Sequence, residues 1–188
     1  MAITLGIIAE DNSDVEVIRM LLRKLSNKQI KIKKFTGNGC GKIVGKCRQW
    51  AVNLSDVGCS RLLVIHDLDQ RKVAQIQNAI AAALHPCPIE KHAIVIPIKE
   101  IEAWFLADHD AITAAFNLKK AIPRIPNPEA EPRAKEKLGA LIYRHSNHKT
   151  TYINAVDNLR IAKHVSIAKV RERCPSFGAL ESFAANHL

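Results

Sequence analysis

A chain of 188 residues with 47% apolar and 24% charged side chains has the size and balance of one ordinary globular unit, and needs no disulfide or metal staple to bury a core. No apolar run approaches the ~18 residues of a membrane span, and the opening MAITLGIIAEDN lacks the basic leader of a secretory signal. The cysteines (Cys40, Cys47, Cys59, Cys87, Cys174) are odd in number and form no CxxC pair, the pattern of reduced thiols in a cytoplasmic protein. Lys plus Arg number 28 against 18 acids, a net charge of +10, and the excess is uneven: +3 over residues 1–118 and +7 over 119–188. Such a balance suggests a polyanionic partner, nucleic acid first among them, although a solvated helical surface would give the same count.

In chain order, Ala2–Ala9 (AITLGIIA) is a short β-branched run ending at acids, as a buried parallel strand would. Asp11, Asn12 and Ser13 offer capping side chains. Val15, Ile18, Leu21, Leu22 and Leu25 then follow at the spacing of an amphipathic helix. Gln29–Phe35 reads as a strand nearer the sheet edge, Gly37, Gly39, Gly41 and Gly45 punctuate a loop, and a helix is predicted over about 43–54. Arg61–His66 is a second strong strand, ending at Asp67-Leu68-Asp69. Gln70–Leu84 is Ala-rich and helical, and the prolines of His85-Pro86-Cys87-Pro88 stop it. Ala93–Ile98 is a third strong strand with Pro97 near its rim, and Glu100–Asp108 opens a helix. The alternation predicts an α/β fold, a parallel sheet sandwiched by helices. Four of the eight prolines fall between Pro123 and Pro132 and mark a stiff linker. The expected organisation is an α/β core over 1–118, followed over 119–188 by the linker and a basic, mostly helical extension packed on the core.

In open parallel sheets, functional groups gather outside the carboxyl ends of the strands, where strand order reverses. The three strongest strands all end in acids: Glu10 with Asp14 one helical turn on, Asp67 with Asp69, and Glu100 with Glu102. If the first and third strands are neighbours, these groups crowd together and repel, and a divalent cation would remove the repulsion. All-oxygen ligation suits Mg²⁺ or Mn²⁺ rather than zinc, and a metal with open water positions suits phosphate chemistry. Each acid also has a purely structural reading. Asp69 could cap the helix from Gln70, Asp11 or Ser13 the first helix, and Glu100 and Glu102 could complement a helix dipole. Residues two apart on a helix point about 200° apart, so only one of Glu100 and Glu102 can face a metal; Glu102 is favoured.

At these residues the sequence resembles a Toprim domain, the metal-dependent fold of topoisomerases, DnaG-type primases and OLD-family nucleases. The resemblance lies in Glu10 after the first strand and Asp67-x-Asp69 after the third. Glu10-Asp11-Asn12-Ser13-Asp14 resembles the acidic segment of OLD nucleases, and Ile101-Glu102-Ala103-Trp104 their later Leu-Glu-aromatic stretch. The whole chain is similar to an uncharacterised bacterial Toprim-like domain of unknown function, through EIEAWFLAD, Lys135–Leu138 and Arg173-Cys174-Pro175-Ser176-Phe177. Asp11 departs from the pattern, since Toprim chains usually have Gly there. The resemblance implies that Glu10 acts as general base or metal ligand, that Asp67 and Asp69 hold Mg²⁺ (Mn²⁺ as substitute), and that Asp14 and Glu102 serve a second ion. It implies hydrolysis of a phosphodiester in DNA or RNA, with Lys42, Lys46 and Lys99 as candidates to pair with phosphates. OLD nucleases carry an ATPase domain that this sequence lacks, so the analogy implies a separate ATPase, as in some phage-defence systems.

Other signals are weaker. Gly37-Asn38-Gly39-Cys40-Gly41-Lys42 is one residue short of a P-loop and has Ile43 where Ser or Thr would reach Mg²⁺. His145 and His148 match no zinc pattern. His66 is expected to be a buried, hydrogen-bonded histidine pointing to the face opposite Asp67. Tyr143 and Tyr152 lie in the basic extension, out of context for a topoisomerase nucleophile. A phosphotransfer receiver would need a fifth strand, and none is evident. Two functions remain expected: a Mg²⁺-dependent nuclease, effector of a defence or toxin system, or a non-catalytic Toprim-like adaptor that binds nucleic acid or a partner ATPase.

Overall fold

The computed structural model describes residues 3–37, 40–68 and 71–188. Four parallel strands, β1 (Ile3–Ala9), β2 (Ile30–Thr36), β3 (Arg61–Ile65) and β4 (His92–Val95), lie in the order β2-β1-β3-β4. Ile3 pairs with Ile30, Leu5 with Arg61 and Leu62 with His92. Helices α1 (Asn12–Leu25), α2 (Ile43–Asp56) and α3 (Val73–Leu84) make the crossovers. The chain runs outward from β1 to β2, then returns past β1 to β3, so strand order reverses between β1 and β3.

The sheet is buried on both faces, which explains its continuous apolar strands. On one face Ile8, Leu62 and Val64 pack against Ile43, Ala51 and Leu54 of α2 and Ile76 and Ile80 of α3. Gly6 permits the approach of α2, because a Cβ there would lie 2.9 Å from Leu54 Cδ1. The opposite face carries Leu5, Ile7, Leu63 and Val95, covered by α1 and by everything after β4. That cover comprises α4 (Glu102–Leu106), α5 (His109–Ala115), α6 (Ala134–His145), α7 (Asn154–His164), α8 (Ile167–Arg173) and α9 (Gly178–His187). Ala134, Leu138, Ile142, Ile161, Phe177 and Leu180 belong to the same apolar cluster as Leu5 and Trp104, so the C-terminal helices share the core of the sheet.

Several boundaries differ from the sequence expectation. The strand expected over Ala93–Ile98 spans only His92–Val95; beyond it, the amide of Leu68 donates to Pro97 O at 3.1 Å and keeps the two chain segments together past the ladder. α3 begins at Val73, and Gln70 lies outside the described residues, as does Ala2 of the first strand. The helix that opens within Glu100–Asp108 is the short α4, and α5 follows it as a separate helix because Asp108 caps a new start: its side chain accepts from Ala111 N at 3.2 Å. Asp11, rather than Ser13, caps α1; Ser13 Oγ instead donates to Asn154 O at 3.1 Å. The proline-rich stretch contains a short 3₁₀ turn, Pro128–Ala130, and Glu129 Oε1 accepts from the amide and hydroxyl of Ser176, which in turn accepts from Trp104 Nε1 at 2.9 Å. Among the described residues no helix is long and apolar enough to cross a membrane.

Asp108 is the main polar staple of the C-terminal helices. It is 2% exposed, yet both its oxygens are engaged: Ala111 N and Lys169 Nζ (2.9 Å) donate to Oδ1, and Ser166 N (2.9 Å) donates to Oδ2. Removing this buried carboxylate strands the amides of Ala111 and Ser166 and leaves Lys169 with Asp110 alone, which costs about 3 kcal/mol. Asp108→Ala is expected to lower unfolding stability by that amount in urea titration, with earlier amide exchange in α8 than in β1.

Candidate functional site

Glu10 and Asp67 stand at the carboxyl ends of β1 and β3, on either side of the point where strand order reverses. The amide of Asp67 donates to Glu10 Oε1 at 3.1 Å, so the end of one strand fixes the carboxylate of the other. His66 is fully buried, and its Nδ1 lies 2.7 Å from Asp67 O, which can only accept, so the proton sits on Nδ1. The same nitrogen lies 3.4 Å from Glu10 Oε1. The histidine therefore does not turn away from the acids. β3 ends at Ile65, and strand alternation does not extend to residue 66.

Asp14 arrives on the first turn of α1, held by a reciprocal capping box: its amide donates to Asp11 Oδ1 at 3.1 Å, and its Oδ2 accepts from Asp11 N at 3.2 Å. Glu102 arrives at the start of α4 and is 1% exposed. Glu100 precedes that helix, so the two glutamates are not constrained by helical spacing. Glu102 Oε1 accepts from Tyr152 Oη at 2.9 Å and from Asn158 Nδ2 at 3.3 Å, while Glu102 Oε2 is buried with no hydrogen-bond partner among the described residues.

The electrostatics record how closely these groups sit. Burial first, then Asp11, Glu102 and Glu10, push Asp14 up to about 7 against its backbone hydrogen bond. Burial, then the charges of Asp14, Glu10 and Glu102, hold Asp67 well above the ordinary carboxylate range. Burial also raises Glu102, opposed by Lys135 and by its own hydrogen bonds. Lys135 is the cation of the cluster. Its Nζ lies 3.8 Å from Glu100 Oε1 and 3.9 Å from Glu102 Oε1, and its amide donates to Glu100 Oε2 at 2.8 Å. Burial works against its charge, but Glu102, Glu100, Asp67 and Asp14 outweigh that and raise its pKa.

Of the residues singled out by sequence, Glu10, Asp14, Asp67 and Glu102 are thus brought into one region. Asp69 lies outside the described residues, as do Asn38 and Gly39 of the glycine loop. Lys42 and Lys46 are exposed near the start of α2 and make no ion pair among the described residues. Lys99 lies between β4 and α4 with φ of 66°, a left-handed conformation unusual for a side chain other than Gly, Asn or Asp. Sequence reasoning misses Lys135, Tyr152 and Asn158 as site residues. Each contacts a glutamate 33 to 56 positions away, and only the Lys135–Leu138 stretch carries any signal, through a family resemblance.

Among the described residues no three His, Cys, Asp or Glu side chains already converge as a metal-binding group. The donor chemistry nevertheless fits a hard divalent cation. The side chains are oxygen donors, their charge exceeds that of the one lysine among them, and Glu102 Oε2 is a buried acceptor without a donor.

The raised Asp14 gives a signed expectation. The native state holds this proton through a range in which the unfolded chain has lost it, so stability falls as pH rises from the ordinary 3.8 to about 7. Urea titrations in EDTA should show that fall, and Asp14→Asn should make it shallower, leaving the part that Asp67 and Glu102 contribute. Mg²⁺ should raise the melting temperature above neutral pH and leave it unchanged near the acid end, where the carboxylates hold protons.

Comparison with known proteins found no match among curated proteins and none among solved structures. One family model matches, over residues 9–183, and it therefore includes every carboxylate of the cluster together with Lys135 and α7. The chain belongs to that family, described as a domain of unknown function (DUF4276).

Proposed function

We propose that this protein is a Mg²⁺-dependent phosphodiester hydrolase of the Toprim type, acting on nucleic acid, with Mn²⁺ able to replace Mg²⁺. The observation that carries the reading is Glu102 Oε2, buried and without a donor among the described residues, beside Glu10, Asp14 and Asp67 at the reversal point of a parallel sheet. Both oxygens of the structural carboxylate Asp108 are engaged; a buried carboxylate oxygen left without a donor among like charges calls for a cation.

Asp67, Asp14 and Glu102 would hold the metal, with Asp69 as the further ligand that the Toprim resemblance implies. When bound, Mg²⁺ supplies Lewis-acid polarisation of a phosphoryl oxygen and a nucleophilic water at neutral pH. The protein's own residues do the rest. Glu10, oriented by the amide of Asp67, is placed to take the proton of the attacking water. Tyr152 and Asn158 fix Glu102 Oε1 and so aim Oε2. Lys135 offsets part of the negative charge before metal and substrate arrive. Lys99, with Lys42 and Lys46 farther out, would pair with substrate phosphates. The likeness to OLD nucleases extends the proposal to a separate ATPase partner in a defence or toxin system.

The test incubates purified protein with plasmid, single-stranded DNA and total tRNA in Mg²⁺, Mn²⁺ or EDTA. Cleavage is expected with either metal and none in EDTA. Asp67→Ala and Glu102→Gln should each reduce it by more than the ~100-fold that loss of an outer-shell partner costs. Cutting that persists in EDTA or in Asp67→Ala would refute the metal site. No cutting of any substrate, with nucleic-acid or ATPase binding intact in both variants, would establish the adaptor function instead.

A further inference from the structure

Away from the carboxylates, three clefts of about 520, 380 and 380 Å³ lie along α1 and the outer edge of β2. They form one trough, since Lys34 and Glu16 line both the first and the third, and Arg19 and Lys31 line both the second and the third. Arg19, Arg23, Lys28, Lys31 and Lys34 supply five positive charges along it. Glu16 pairs with Arg19 at 3.2 Å, while Arg23, Lys28, Lys31 and Lys34 are exposed and make no ion pair among the described residues. The trough follows the seven residues of β2, about 23 Å at 3.3 Å per residue. At its far end it is lined by Asp11, which is hydrogen-bonded to Asp14 of the cluster.

We propose that a single polynucleotide strand lies in this trough, its phosphates held by Arg19, Arg23, Lys28, Lys31 and Lys34, and enters the carboxylate site at the Asp11 end. The proposal rests on the hydrolase reading for its endpoint, and charge complementarity selects the occupant. No aromatic side chain lines the three clefts, so the protein grips the backbone and binding is independent of sequence. The site is recessed, with Asp14 8% and Glu102 1% exposed, so the scissile phosphate must bend inward. A flexible strand does this where a stiff duplex resists.

Fluorescence anisotropy of the full chain in EDTA, with labelled oligothymidylate over a salt series, tests the path without turnover. Every phosphate left without its cation lowers the slope of log affinity against log salt by about 0.7. Combined Arg23→Ala, Lys28→Ala, Lys31→Ala and Lys34→Ala should therefore lower the slope by about 3. Arg144→Ala with Lys149→Ala, at cations of the more basic C-terminal part, should leave it unchanged. Unchanged melting curves would confirm the fold of the variants. An unchanged slope in the trough variant, a weakening confined to the C-terminal variant, or tighter binding of duplex would overturn the path. So would binding of an extended acidic peptide, added to the β2 edge, in place of the oligonucleotide. A lowered slope without cleavage by the parent protein would refute the hydrolase and keep the trough; cleavage with an unchanged slope would do the reverse.

Discussion

The arrangement depends on one electrostatic constraint: several carboxylates gathered beyond the ends of β1 and β3, with Asp14 and Glu102 held out of water and Glu10 and Asp67 only partly exposed. Burial and mutual repulsion both favour the protonated forms, and this raises Asp14 and Asp67 together. A single lysine, Lys135, stands against them. It is held among the acids by its backbone as well as its charge, because its amide donates to Glu100. The site is thus destabilising when empty of counter-charge, and the fold around it must supply the compensation. Two apolar clusters on the faces of the sheet do so.

The same constraint explains why the C-terminal helices are part of the site. Tyr152 and Asn158 hold Glu102, and Lys135 opens α6 beside it. These groups keep their positions only if α6 and α7 are docked on the sheet, and that docking is apolar (Leu138, Ile142, Ile161), while Asp108 ties down the start of α8 just beyond them. The Tyr152 hydroxyl, raised by burial and by Glu102, stays protonated and so remains a donor throughout the physiological range.

Much of this is legible in the sequence because it follows from local rules. Apolar β-branched runs mark the strands, their alternation with amphipathic segments implies a parallel sheet, and the strand-end rule points to Glu10, Asp14, Asp67 and Glu102 as neighbours. The rule works because a parallel strand fixes where its carboxyl end must lie. What stays illegible is long-range: nothing near Tyr152 or Asn158 marks them as partners of a glutamate 50 and 56 positions earlier. Strand alternation misplaces His66 because the strand stops one residue too soon. Periodicity marks Glu100–Asp108 as the start of a helix but not where that helix stops: Asp108 accepts from Ala111 N three residues on, while its other partners, Ser166 and Lys169, lie 58 and 61 positions on.

Net charge over a segment is a count and carries no information on where its charges sit. The C-terminal 70 residues carry most of the basic excess, yet several of their cations have structural partners: Lys169 with Asp108 and Asp110, Arg171 with Glu181, Lys135 with the glutamates. In the N-terminal segment, by contrast, Glu10, Asp14 and Asp67 gather beyond the strand ends while Arg23, Lys28, Lys31 and Lys34 line the trough along β2. A polyanion responds to local potential, and separation of charge along one segment creates a stronger field than a larger, internally paired excess elsewhere. The edge position adds to this. Among the described residues β2 is flanked by β1 alone, so its lysines form a charged edge that discourages pairing with another chain and, on the proposed path, would serve as the approach to the recessed acids.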